Sequence, residues 1–124
     1  MRVHAAALGA TLAAVFVMCG CTPSRPSAQA ATKLAHDATV LMTLCPTKQS
    51  IAQSQWPPSF ADAGVESAYI GHDGLYLETD RIYVQEAGVF IPCDASKFVS
   101  SSISGEDPVY LKVADGVFTY YIAG

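Results

Sequence analysis

His72, Asp73, Glu78 and Asp80 bring an imidazole and three carboxylates into one short span of the chain. Side chains of these types could form a hydrolytic dyad or hold a cation. Their spacing sets them around the turn Gly71-His72-Asp73-Gly74 and the segment after it, exposed and without a pocket to shift their pKa values or exclude water. The expectation is therefore a solvated turn. Ser100-Ser101-Ser102 offers hydroxyl nucleophiles, but no nearby histidine activates them. The chain contains no Gly-x-Ser-x-Gly, no phosphate-cradling glycine loop and no His-Glu-x-x-His. No catalytic residue, metal site or cofactor is expected, and the chain does not read as an enzyme. The remaining residues with distinctive chemistry are four cysteines: Cys19, Cys21, Cys45 and Cys93.

Two of these end an apolar stretch. Arg2 and His4 lead into Ala5 to Met18, a run too short to cross a hydrocarbon core of about 30 Å, which takes about twenty helical residues. With Met18-Cys19-Gly20-Cys21 at its end, the segment resembles a bacterial lipoprotein signal peptide. That pattern has an aliphatic residue three before the acceptor cysteine and a small residue directly before it. Gly20 and Cys21 match it, Met18 is a permitted choice, and Cys19 is an unusual occupant of its position. The resemblance implies removal of residues 1–20, acylation of Cys21 by palmitate-type chains, and attachment to a membrane by that lipid. Thr22 stands where aspartate would signal retention at the inner membrane, which implies the outer membrane of a Gram-negative cell, facing the periplasm. It also implies the fate of the cysteines. Cys19 leaves with the signal and the lipid occupies Cys21, so Cys45 and Cys93 remain as one pair in an oxidising compartment and are expected to form a disulfide. Two thiols without neighbouring histidines make no zinc site, and there is no Cys-x-x-Cys redox motif.

Charge narrows the partners further. Seven Lys and Arg face eleven Asp and Glu, a net charge of −4 that becomes more negative without Arg2. An acidic body argues against nucleic acid and against electrostatic adhesion to anionic lipid, so acyl chains would carry the membrane attachment.

Thr22 to Ala31 is small, polar and proline-bearing, and residues 21–31 read as a flexible tether ahead of a single α+β domain over 32–124. From about Ala30 to Leu44 the spacing is helical: Leu34, Ala38, Leu41, Met42 and Cys45 share a face, and Pro46 ends the helix. Ser59 can cap a single turn through Ala63, with Gly64 as terminator, and Trp56 reads as an apolar lid. From Val65 the period falls to two. Val65–Ile70, Leu75–Thr79, Ile82–Ala87 and Val89–Cys93 are strand candidates, divided by Gly71 to Gly74, by Asp80-Arg81 and by Gly88. Lys97 to Ile103 reads either as a short helix or as a loop. Val109–Ala114 and Val117–Ile122 flank Asp115-Gly116, a strong hairpin signal. The expected fold is an N-terminal helix packed on a largely antiparallel β-meander of five to six strands.

Alternation sorts the strand residues into two sets. Leu75, Leu77, Ile82, Val84, Val89, Ile91, Cys93, Val109, Leu111 and Val113 form an aliphatic face, expected under the helix with Cys93 beside Cys45. Tyr76, Tyr83, Phe90, Tyr110, Phe118 and Tyr120 form the opposite, aromatic face. Tyrosine is favoured at binding surfaces, yet it is also a good former of half-exposed strands, and Trp56 or the Lys97 to Gly105 segment could cover this face. If open, it would take a protein partner in the periplasm. The functional expectation is a lipid-anchored binding or inhibitory module, like an enzyme inhibitor or immunity lipoprotein. The alternative is a structural accessory of an envelope or secretion assembly.

Overall fold

The computed structural model describes residues 25–98 and 107–124. The signal segment, Cys21 and residues 99–105 of the ambiguous segment lie outside the described residues.

The first helix, α1 (Ala28–Asp37), starts earlier than its apolar stripe implies. Ser27 is extended, and its Oγ accepts the Ala30 N–H at 3.1 Å, satisfying one of the free donors at the helix start. Ala31 is already fully buried, so the expected tether is too long by the residues from Ser27 to Ala31. After Asp37 the helix tightens into a 3-10 segment, Ala38–Leu44. Here the β-branched Thr39, Val40 and Thr43 are poor helix formers, and the Thr43 hydroxyl donates to the Val40 carbonyl at 2.7 Å. Cys45 is extended, as the residue before Pro46 must be. Ala31, Leu34, Ala38 and Leu41 form the buried stripe, with Met42 and Cys45 packed beside it. A second short helix, α2 (Pro58–Asp62), opens on a proline rather than on a Ser59 cap. Gly64 follows with φ +75°.

Six strands make one antiparallel sheet: β1 (Gln49–Ser50), β2 (Ser67–Ile70), β3 (Gly74–Ile82), β4 (Gln85–Pro92), β5 (Val109–Ala114) and β6 (Val117–Ile122). Their order is β1-β2-β3-β4-β6-β5, so the meander is interrupted where β6, not β5, joins β4. The α+β expectation holds, but the central strands differ from it. Asp80-Arg81 and Gly88 are not turns: they lie inside two long strands, with a register shift between Glu78 and Asp80. The hairpin turn falls at Tyr83-Val84, so Ile82–Ala87 is not a strand. At Gly88 the strands come so close that a Cβ would overlap the Leu77 carbonyl, which is why glycine appears mid-strand. Asp115-Gly116 does turn the β5–β6 hairpin. Only Gly116 has positive φ, and a bulge between Lys112 and Ala114 takes up the difference.

Ala68, Leu77, Val89, Thr119 and Leu111 stand opposite one another across five strands, on the face beneath α1. Tyr69, Tyr76, Phe90, Phe118 and Lys112 form the matching row on the other face. Cys45 and Cys93 are bonded, with Cα atoms 5.8 Å apart. The bond ties the end of the 3-10 segment to the sheet end where Gly74 pairs with Pro92. Thus α1 begins toward the Tyr83-Val84 end of the sheet, and the helical segment runs toward the opposite end.

Candidate functional site

The aromatic face is closed. Tyr76, Phe90, Tyr110, Phe118 and Tyr120 are buried and form a second core, with Tyr69, Phe98 and Ile122 packed against it. Phe98 lies 4.9–5.0 Å, centroid to centroid, from Phe90, Tyr110 and Phe118. The start of the Lys97 to Gly105 segment therefore helps cover the face, whereas Trp56 packs on the helix side and donates its indole N–H to the Ile51 carbonyl at 3.1 Å. The sixth residue of the set, Tyr83, is not on this face at all. It sits in the hairpin turn, 93% exposed. An open aromatic surface for a partner is thus not what the six residues build. An antiparallel sheet that buries both faces needs enough apolar side chain for each, and the aromatic rings supply it here.

The buried hydroxyls explain how tyrosine can serve as core. Tyr76 donates to Asp73 Oδ1 at 2.8 Å and lies 2.7 Å from the Tyr110 hydroxyl. At the other end of the cluster, Glu86 Oε1 accepts from Tyr69 at 2.8 Å and from Tyr120 at 2.6 Å. Burial is the main cause that pushes all four tyrosines above their ordinary pKa, and the neighbouring carboxylates add to it: Glu86 for Tyr69 and Tyr120, Asp73 for Tyr76 and Tyr110. Arg81 clamps Glu78 through two contacts, at 2.8 and 3.0 Å, and reaches Glu86 at 3.4 Å. That clamp, with the Ser67 hydroxyl 3.1 Å away, holds the Glu78 carboxyl below its usual range. Every one of these polar groups is engaged within the fold, and the network leaves no polar tip of the four tyrosines to present outward.

The His72, Asp73, Glu78 and Asp80 grouping does not assemble. Asp73 is held by tyrosines at one end of β3, and Glu78 lies five strand residues on, about 16 Å away. His72 is exposed. Among the described residues no group of three or more His, Cys, Asp or Glu could hold a metal ion.

The open feature lies on the helix face. α1 covers part of that face and leaves a cleft of about 960 Å³ between α1, α2 and the sheet. Leu34, Ala63, Val89, Val109, Leu111 and Tyr121 give it apolar walls, and Arg25, Lys33, Asp62 and Asp80 supply its charges. Leu111 and Tyr121 keep 39% and 38% of their surface exposed. Alternation places Leu111 on the helix face, as expected. What the sequence pattern does not reveal is that α1 leaves this part of the face uncovered. Comparison with protein-family models, with curated proteins and with solved structures finds no match.

Proposed function

We propose that this protein is a lipid-anchored binding module, attached through Cys21 to the outer membrane and facing the periplasm, which takes a protein partner in the cleft between α1, α2 and the sheet. The cleft carries this reading. It is the place among the described residues where apolar side chains of the sheet face are left open, and its volume of about 960 Å³ has room for an inserted side chain or loop. An apolar side chain or short loop of the partner would fill it, with Arg25, Lys33, Asp62 and Asp80 setting orientation at polar positions. The buried aromatic face supports moving the contact here from the surface that alternation suggested. A module that only occupies a partner in this way is inhibitor- or immunity-like.

Photo-crosslinking of the membrane-attached protein in cells tests the reading. A photoreactive residue at Leu111 is expected to give a discrete protein adduct, whereas one at Val40, 69% exposed and absent from the cleft lining, gives none. No adduct at Leu111, or equal adducts at both, would refute the cleft as the partner site. A single envelope enzyme in the adduct fits the inhibitory reading; a subunit of a larger assembly fits the accessory role.

A further inference from the structure

Ile82, Tyr83 and Val84 break a local rule at the β3–β4 turn. Two-residue hairpin loops favour Gly, Asn and Asp, because positive φ is costly for other residues and the loop faces water. Here Tyr83 holds φ 56°, and Ile82, Tyr83 and Val84 are 46%, 93% and 68% exposed. A left-handed residue with a side chain costs on the order of 1–2 kcal/mol, and these three apolar residues gain little in return inside the fold: Ile82 is about half covered, Val84 meets the chain end at Gly124, and the Tyr83 ring is in solvent. Such violations concentrate at working surfaces.

The path of the chain says what this tip meets. Arg25 and Pro26 line the cleft together with Asp80 of β3 and Tyr121 of β6, near the Tyr83-Val84 end of the sheet. Ile82 is two strand residues beyond Asp80, about 7 Å. Because α1 starts at Ala28, only four residue steps separate Arg25 from Cys21, a reach of at most about 14 Å. The disulfide marks the other end of the sheet, about 30 Å from the turn along β3. An acyl group on Cys21 therefore brings the hairpin tip, not the Asp73 end, to the bilayer. Its composition suits that place: two β-branched aliphatic residues with a tyrosine whose ring tolerates both acyl chain and headgroup. Acyl chains on one residue hold the protein to the membrane but leave it free to pivot, and an acidic body gains little orientation from lipid charge, so an apolar contact is what would fix its pose.

We infer that Ile82, Tyr83 and Val84 form a second, non-covalent membrane contact that inserts into the interface of the bilayer holding the lipid anchor and fixes the orientation of the domain. The inference rests on the anchor reading. It leaves the cleft beside the membrane, with its occupant approaching along the bilayer surface.

The test uses the lipidated full-length protein in phosphatidylethanolamine–phosphatidylglycerol vesicles carrying acyl-brominated lipid. In a Trp56→Phe background, tryptophan replaces Tyr83 in one variant and His72, at the far end of β3, in another. The Tyr83→Trp protein is expected to lose about half of its emission and to shift to the blue, while His72→Trp keeps its emission. Quenching of Tyr83→Trp no greater than that of His72→Trp would overturn the inference. Mass spectrometry of Cys21 and membrane fractionation of Cys21→Ser, done on the same preparations, judge the anchor separately. An acylated, vesicle-bound protein with an unquenched tip sinks the membrane contact and spares the anchor. A protein without acyl chains on Cys21 sinks the anchor and removes the argument for the tip with it. Tyr83→Asn, which accepts positive φ without the ring, is expected to fold at least as stably and to leave the domain reorienting freely on the membrane; an unchanged orientation would also count against the contact.

Discussion

Replacing Phe90 by alanine asks most directly whether the aromatic face is a core. Phe90 is fully buried at the centre of the cluster, with the rings of Tyr76, Phe98, Tyr110 and Phe118 at centroid distances of 4.7–6.5 Å. Its ring has no polar atom, so truncation removes only packing. A buried Phe→Ala change costs about 3–5 kcal/mol, from lost transfer energy and the cavity left behind. At about 4–8 °C of Tm per kcal/mol in a domain of this size, the melting temperature should fall by at least about 12 °C. Leu77→Ala on the opposite face, also fully buried, should lose about 2–5 kcal/mol. Tyr83→Ala should stay within about 0.5 kcal/mol, since its ring is exposed. Thermal melts of the three variants under one buffer give the comparison. If Phe90→Ala melts like Tyr83→Ala while Leu77→Ala unfolds, the sheet has one core, and the aromatic residues form a surface after all.

Three further outcomes follow from the same structure. Reducing the Cys45–Cys93 bond, which closes a span of 48 residues, should cost about 4 kcal/mol on the chain-entropy account, seen as a lower Tm in reductant; non-reducing peptide mapping should recover the two cysteines in one linked peptide pair. Because Tyr69, Tyr76, Tyr110 and Tyr120 hold their protons more tightly folded than unfolded, their contribution is complete below about pH 10 and is lost as pH rises, so denaturant midpoints should fall steeply in the alkaline range. A flat profile through that range would contradict their burial. Gly88→Ala should destabilise by more than about 1 kcal/mol, because the added methyl meets the Leu77 backbone rather than a movable side chain; a neutral result would mean that β3 and β4 sit farther apart than described.

The sequence by itself determined whatever follows from local rules. Helical spacing put Leu34, Ala38 and Leu41 on one buried stripe, Pro46 ended the helical segment, Asp115-Gly116 turned a hairpin, and alternation placed Tyr76, Phe90, Phe118 and Tyr120 opposite Leu75, Leu77, Val89 and Ile91. The pairing of Cys45 with Cys93 was expected from the resemblance to a lipoprotein signal, which implied no other partner, and the two are bonded. Turn propensity misled at Asp80-Arg81 and Gly88. Cross-strand pairing continued β3 and β4 through them, and the turn fell on Tyr83-Val84, which carries no turn chemistry. Only the tertiary structure decided which face of the sheet is shut. Alternation assigns a side chain to a face but does not say what packs on that face. That depends on Phe98 folding back from beyond β4, on carboxylates meeting the tyrosine hydroxyls, and on the helix-side core taking in Val113 and Ala114 of β5 while Val109, Leu111 and the ends of β3 and β6 line an open cleft. These are contacts between residues far apart in the chain, and no local period encodes them.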